Sequence, residues 1–322
     1  MSTLEKFQSL FVAAAALCGL CAGLLWPIGD AAGHLVTPAL MLMLAAVFAQ
    51  VDAAHVREAG AARRVVLASL VLNFVVTPLL AWGLGAGLLG GAPDLRIGLL
   101  LLLVTPCTDW YLVFTRLGRG HMGVAAAVLP INLVLQLLLL PAYVLLLGGE
   151  AAMIDTGTLV EAVLLVLVVP LAAAVLARWS AARWKGAAWR DEVLVDRASG
   201  AVLPLLYLAV AAMFAWQART VVGHGGALVA LVPPLAVFFV VAPLLAVLTA
   251  RLLRLPGDQR VALVMTTVAR NSPIALAIAV VAFPDRPLIA VALVAGPLLE
   301  LPVLSLLSRV VRVREGARDS SP

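Results

Sequence analysis

The chain has 322 residues, of which 64% are hydrophobic and 12% are charged, and its mean hydropathy is +1.11. Soluble domains carry about 25% charged residues, so this composition excludes a soluble protein and indicates a protein embedded in lipid. The net charge of +5 does not indicate binding to nucleic acid, because the basic residues lie in short segments between apolar runs.

Ten apolar runs of the sequence are each about 20 residues long, which is enough to cross the hydrocarbon core of a bilayer. They predict an all-α polytopic membrane protein of about ten transmembrane helices. In chain order the predicted segments are 8–28, 33–51, 65–89, 96–116, 121–148, 157–177, 198–217, 226–250, 259–282 and 287–308. The loops are predicted to be short, except for a long, charged loop over 178–197. The first segment lacks a small-residue cleavage site and is interpreted as a retained helix.

The positions of the lysines and arginines predict the orientation of the chain in the membrane. If the N-terminus is cytoplasmic and the segments alternate, the inner loops and tails hold 18 basic residues and the outer loops hold 3. The chain has 22 lysines and arginines in all, and the remaining one, Arg270, lies inside an apolar segment. This bias indicates a multi-pass protein of the plasma or inner membrane, with both termini and a short C-terminal tail in the cytoplasm.

A shift of 164 positions brings polar interruptions of the two chain halves into register. Pro106-Cys107-Thr108 falls on Arg270-Asn271-Ser272, and Gln136 falls on Glu300. Each half holds five segments, an odd number, so the second half must cross the membrane in the opposite direction. We therefore predict two inverted five-helix repeats, 1–150 and 151–322, whose helices four and nine are broken and cross. This arrangement is typical of secondary transporters, which bind solutes near the midplane.

The fourth predicted segment carries a proline and a carboxylate at mid-span. Pro106 lacks an amide proton and disturbs the preceding turn, so we expect the helix to open there, or at least to kink. Asp109 follows within one turn, and a carboxylate in hydrocarbon is costly unless it is used or paired. Asp109 is therefore a candidate for ion or proton coupling, and Thr108 is a candidate for solute binding.

The ninth and tenth segments carry the other charged residues predicted at depth. Arg270 must face a polar cavity or a partner, and Asp109 is the obvious partner if the two breaks cross. The pair could bind solute or be purely structural. Glu300 lies between Pro297 and Pro302, and a buried carboxylate of this kind can exchange protons, as in transporter relays, or act only as a structural acceptor.

The remaining polar residues of the apolar segments are interpreted as a supporting shell. The amides of Asn73, Asn132 and Gln136 either support the site or only join helices. Cys18 and Cys21 share one helix face and are interpreted as core residues of the first segment. No nucleophile–base pair, metal-ligand set or phosphate-binding loop is present, so no catalytic residue, cofactor or metal site is predicted and an enzyme is disfavoured.

Two motifs resemble those of a known family. Thr105-Pro106-Cys107-Thr108 resembles the Pro-Cys-Thr motif of arsenite-efflux permeases, and the stretch from Gly296 to Val303 is similar to their Gly-Pro-Leu-x-Glu-x-Pro-Val signature. These permeases belong to the bile acid:sodium symporter superfamily, and the resemblance covers nearly the whole chain. It implies ten helices in two inverted repeats, panel and core domains that move against each other, and Cys107 and Glu300 as functional residues.

The ninth segment departs from this family pattern. It lacks the glutamate and glutamine of the sodium-coupled members, and Arg270 would place a fixed positive charge where the symporters hold a cation. Sodium symport is therefore disfavoured.

Two hypotheses follow for the solute. The first is efflux of arsenite or a related metalloid by proton antiport. In it Cys107, Thr108, Arg270, Asn271 and Ser272 would contact the solute, and Asp109 and Glu300 would couple it to protons. The alternative is an organic-anion carrier with Arg270 as the counter-charge. A membrane sensor or scaffold is a weaker third possibility. The expected partners are a small inorganic or organic solute and membrane lipid.

Overall fold

The computed structural model describes residues 8–50, 62–107, 110–148, 156–223 and 225–312, and all regular secondary structure within these ranges is helical. The helices are α1 (Gln8–Leu25), α2 (Gly29–Ala49), α3 (Arg63–Leu88), α4 (Pro93–Val104), α5 (Trp110–Leu117), α6 (Met122–Leu147), α7 (Thr156–Trp184), α8 (Ala187–Trp216), α9 (Ala218–Gly223), α10 (Gly225–Ala230), α11 (Val232–Leu252), α12 (Gly257–Val268), α13 (Ser272–Ala282) and α14 (Pro287–Val310). Helices α3 and α8 each contain one wider π-helical turn, Leu72–Val76 and Arg190–Leu194. The all-α prediction is confirmed for these residues.

Several helices are long and apolar enough to cross a membrane. Among the described residues there are six: α2, α3, α7 from Leu164 onward, α8, α11 and α14. Helix α6 is bent by 53° between Gln136 and Leu138 and adds a seventh if the bent pair is one span. Large apolar side chains such as Leu146 and Trp184 are exposed, as expected for a surface in contact with lipid. The protein is therefore a multi-pass membrane protein.

Two of the ten predicted segments are split near the middle into two shorter helices. Segment 96–116 comprises α4 and α5, and segment 259–282 comprises α12 and α13. Helices α4, α12 and α13 have 12, 12 and 11 residues, which is too short for any of them to span the bilayer alone. Helix length and hydropathy therefore identify fewer than the ten predicted spans among the described residues.

The predicted long loop over 178–197 is wrong. Helix α7 continues to Trp184 and α8 begins at Ala187, so the connection is a tight turn at Gly186, whose φ is +94°. Glycine adopts this left-handed conformation without steric cost. The charged residues extend the two helices beyond their apolar runs. One of them, Arg178, donates from Nη1 to the carbonyl of Ala49, the last residue of α2, at 2.6 Å.

Packing divides the chain into two compact units, each assembled from three stretches. Unit 1 takes the described residues of 1–51, 150–229 and 272–298, which form α1, α2, α7–α10, α13 and the first part of α14. Within unit 1, α8 packs against α1 and α2, and α7 and α13 pack against α2. Unit 2 holds α3–α6, α11, α12 and the rest of α14. Within unit 2, α12 packs against α3, α5, α6 and α11 and so lies at its centre.

Two glycines bring α1 close to α8 in unit 1. A Cβ atom on Gly19 would collide with the carbonyl of Ala211, and one on Gly23 would collide with that of Ala215. Small residues four positions apart allow this close approach of helix backbones in membranes.

Replacing Gly19 with leucine is expected to destabilise unit 1, because the side chain must push the backbone of α8 away. Overpacking of this kind costs about 1–3 kcal/mol or more. Thermal unfolding of the purified protein in detergent measures the effect. Gly83→Leu is the matched control, because a Cβ at Gly83 meets nothing within 4 Å. Equal losses from the two substitutions would contradict the predicted helix contact.

Candidate functional site

Helices α4 and α12 both end inside unit 2, in extended backbone. Helix α4 ends at Val104, and Thr105 has φ −105° and ψ 94°. Helix α12 ends at Val268, and Ala269 has φ −72° and ψ 136°. The breaks expected from Pro106 and from the polar residues around Arg270 are therefore present at the predicted positions.

The two breaks pair with each other. Pro106 and Arg270 face one another in an isolated antiparallel bridge. Two backbone hydrogen bonds flank it, Cys107 N to Ala269 O at 3.0 Å and Asn271 N to Thr105 O at 2.7 Å. This pairing fixes Cys107 against the end of α12.

The guanidinium of Arg270 lies between the broken ends of the two helices, and the residue is only 3% exposed. Its donors reach Leu103 O from Nη1 at 2.7 Å, Asn73 Oδ1 from Nη2 at 2.7 Å, Thr267 O from Nη2, and Val268 O from Nε at 3.4 Å. Its Cζ also lies 5.4 Å from the centre of the Phe238 ring. The carbonyl end of a helix carries partial negative charge, so one cation stabilises both half-helix ends.

Three side chains donate to six of the carbonyls that the breaks leave without helical donors. Thr105 Oγ1 donates to Leu101 O and Leu102 O, at 2.9 and 3.1 Å. Asn73 Nδ2 donates to Thr266 O at 3.2 Å, and Arg270 donates to three more, Leu103 O, Thr267 O and Val268 O. Unpaired carbonyls are costly at membrane depth, so these contacts allow the helices to stop there.

Asn73 is the side chain that joins Arg270 to α3. It is fully buried on the π-helical turn, accepts from Arg270 at Oδ1, and donates through Nδ2 to both Ser69 Oγ and Thr266 O at 3.2 Å. Sequence reasoning proposed Asp109 as the partner of Arg270. Thr108 and Asp109 lie outside the described residues, so that pairing stays a prediction. Four of the five guanidinium donors already have acceptors among the described residues.

Glu300 lies beside the same break. It is 2% exposed, and its Oε1 accepts a hydrogen bond from the backbone amide of Arg270 at 2.9 Å. The Cys107 amide donates to the carbonyl of Ala269, the residue before Arg270, so Cys107 and Glu300 both contact the backbone of the same break. The structure therefore brings together the two residues that the family resemblance singled out.

The three cysteines lie in different surroundings. Cys107 is 2% exposed in unit 2, whereas Cys18 and Cys21 are exposed on α1 in unit 1. The interpretation of Cys18 and Cys21 as core residues is wrong, because α1 packs against α8 through its glycine face. Among the described residues, no group of three or more His, Cys, Asp or Glu could hold a metal ion.

The other predicted polar residues are buried as well. Asn271 and Ser272 are 5% and 4% exposed, and the Ser272 hydroxyl has no partner within the described part of the chain. Asn132 and Gln136 on α6 are fully buried. Asn132 Nδ2 donates to Thr266 Oγ1 at 3.3 Å, which links α6 to α12. Thr266 and Phe238 were missed by sequence reasoning, because neither a threonine nor a phenylalanine stands out in an apolar helix.

The chain is similar to known proteins along most of its length. The model of the Sodium Bile acid symporter family matches residues 37–224. The chain is 26% identical to the arsenical-resistance protein Acr3 of Corynebacterium glutamicum, over 82% of this chain and 74% of that protein. It is 23% identical to the uncharacterized transporter slr0944 of Synechocystis, over 97% of this chain and 89% of that protein. The chain belongs to the sodium bile acid symporter family of membrane transporters.

Proposed function

We propose that this transporter exports arsenite or a related metalloid in exchange for protons. The observation that carries the proposal is the buried thiol of Cys107, fixed at the paired helix breaks beside Arg270 and Glu300. Thiolate sulphur is a soft ligand that suits a trivalent metalloid. The similarity to a protein named for arsenical resistance supports the same solute.

Cys107 would bind the solute by a reversible exchange. Its sulphur would displace one hydroxyl of arsenous acid, so that an S–As bond forms, the S–H and one As–O bond break, and water leaves. No electrons are transferred, and hydrolysis reverses the step on the other side of the membrane. Thr108 and Asn271 would line the same position, next to Cys107, whose backbone amide donates to the carbonyl of Ala269.

Glu300 would carry the proton. Its carboxylate is buried in an apolar helix, and such groups exchange protons in transporters because their charge is costly at depth. The site contains one permanent positive charge, Arg270, which both the carboxylate and a thiolate can compensate. Asp109 would be a second proton-binding group close to the break.

Observed helix bounds support the proposal of two inverted five-helix repeats, 1–150 and 151–322, that together make ten spans. Moving the bounds of α4, 93–104, by 164 positions gives 257–268, the bounds of α12. The same shift takes α6 to 286–311, beside the observed Pro287–Val310 of α14. It also maps Pro106 onto Arg270, the residue that faces it. With this topology the basic residues favour cytoplasmic termini in the plasma or inner membrane.

The alternative function, an organic-anion carrier, has less support. It needs Arg270 as the counter-charge of the solute. The guanidinium is buried, and Leu103, Asn73, Thr267 and Val268 already accept from it. Binding an anion there would release carbonyls that no other described donor satisfies.

Arsenite transport is expected to need a proton gradient and no sodium, because the Arg270 guanidinium already supplies a cation to the carbonyl ends of α4 and α12. The measurement is arsenite accumulation by everted membrane vesicles, with sodium replaced by choline at constant pH. The rate should be unchanged, and dissipation of the proton gradient should abolish accumulation. Glu300→Gln should lower the rate at least about tenfold with normal protein levels, as expected when a proton carrier is removed. Transport that stops in choline would contradict the proposed coupling.

A further inference from the structure

Helix α6 carries two buried amides whose polar atoms are largely unmatched by protein groups. Gln136 is fully buried, and neither its Oε1 nor its Nε2 has a hydrogen-bond partner within the described residues. Asn132 lies one turn earlier on the same helix face. Its Nδ2 donates to Thr266, but its Oδ1 is also without a partner in this part of the chain.

A buried amide without partners is costly. Leaving such a group unsatisfied costs about 1–3 kcal/mol, and the large majority of buried side-chain polar atoms in proteins are hydrogen-bonded. Two such side chains one turn apart, with three unmatched atoms, therefore point to a ligand that supplies the missing hydrogen bonds.

The backbone at this position adds a further acceptor. Helix α6 bends by 53° between Gln136 and Leu138. Pro141 has no amide proton, so the carbonyl of Leu137 loses its helical donor. Acceptors and donors are thus concentrated around Gln136.

The chemistry of these groups defines the ligand. Amides are uncharged and offer both donors and acceptors, so they match an uncharged solute with hydroxyl groups better than an ion. An anion would need a cation with free donors, and the Arg270 donors are directed to Leu103, Asn73, Thr267 and Val268 instead. The amides are also connected to the helix break, because Asn132 contacts Thr266 in the last turn of α12.

We propose that Asn132 and Gln136 bind the hydroxyl groups of the uncharged trihydroxide form of the metalloid. This inference rests on the proposed function and identifies the chemical form that is transported. Cys107, as a single thiol, can replace only one of the three hydroxyls. The remaining hydroxyls each donate and accept hydrogen bonds, which is the capacity that the two amides provide.

The test uses the purified transporter and two probes, arsenite and boric acid. Boric acid is also an uncharged trihydroxide, but it has no affinity for thiols. Thermal unfolding is measured with and without each probe for the wild type, Gln136→Met and Val134→Leu. Methionine keeps the length of glutamine without its amide, and Val134→Leu is the control on the exposed face of the same helix. Gln136→Leu replaces Gln136→Met if that variant does not fold.

Boric acid is expected to raise the unfolding temperature of the wild type and of Val134→Leu, and to have no effect on Gln136→Met. In vesicles, Gln136→Met should raise the KM for arsenite about tenfold, as expected when hydrogen bonds to a solute are lost, with kcat within about twofold. The inference is overturned if boric acid shifts Gln136→Met as much as the wild type, or does not shift the wild type. An unchanged KM would overturn it as well.

The two proposals fail in distinguishable ways. If the folded wild type does not transport arsenite, the proposed function fails. The boric acid measurement then still decides whether the amides bind an uncharged trihydroxide.

Discussion

Arg270→Gln is expected to abolish transport and to lower the unfolding temperature of the purified protein by roughly 6–20 °C. Removing one partner of a buried charge network costs about 3–5 kcal/mol, and each kcal/mol shifts the midpoint by about 2–4 °C in a protein this large. The physical reason is that Leu103, Thr267 and Val268 lose the donor to their carbonyls, while Glu300 loses its compensating charge. Thermal unfolding in detergent and vesicle transport measure the two effects.

Two further variants show that the effect belongs to the guanidinium at this position. Arg251→Gln, on the exposed last turn of α11, should unfold and transport like the wild type. Arg270→Lys should recover only part of the stability, because one ammonium cannot reproduce a planar fork that serves both half-helices. Wild-type stability and transport in Arg270→Gln would show that the guanidinium does not hold the breaks together.

Cys107→Ser is expected to abolish arsenite resistance in a host that lacks its own arsenite pump. Serine is nearly isosteric, so the protein should reach the membrane in normal amounts, but its hydroxyl is a hard ligand with little preference for a metalloid. Growth at increasing arsenite concentrations, together with immunoblots of membrane fractions, measures the effect.

Cys18→Ser and Cys21→Ser are the matched controls. Both cysteines are exposed on α1 in unit 1, so both variants should confer full resistance. Loss of resistance in either variant, or normal resistance in Cys107→Ser, contradicts the assignment of Cys107 as the solute ligand.

The helix breaks could be predicted from the sequence because their residues are physically incompatible with a continuous helix in lipid. Pro106 removes a hydrogen bond, and Arg270 is too costly at depth without acceptors. The register between the breaks was also predictable, because a shift of 164 positions pairs these two residues and the structure places them face to face. The two repeats themselves remain a proposal.

The acceptors of Arg270 could not be predicted. Charge alone suggested Asp109, whereas the described acceptors are backbone carbonyls of Leu103, Thr267 and Val268 and the amide of Asn73. Every residue has a backbone carbonyl, so the sequence does not show which carbonyls accept a hydrogen bond from Arg270. Which of them are free depends on where each helix stops, and that is set by three-dimensional packing.

The connection between α7 and α8 shows a second reason why sequence-based prediction failed. The charged residues between Arg178 and Arg197 suggested a loop because they cannot lie in hydrocarbon. Charged residues are nevertheless good helix formers outside the membrane. In the structure both helices include these charged residues, and the chain reverses direction at Gly186.

The most direct test of the central claim is the initial rate of arsenite accumulation in everted vesicles that contain equal amounts of wild type or Cys107→Ser, in sodium-free buffer with an imposed proton gradient. The thiol at the paired breaks predicts rapid accumulation by the wild type and a rate in Cys107→Ser no higher than in vesicles without the protein. Accumulation by Cys107→Ser at the wild-type rate would contradict it.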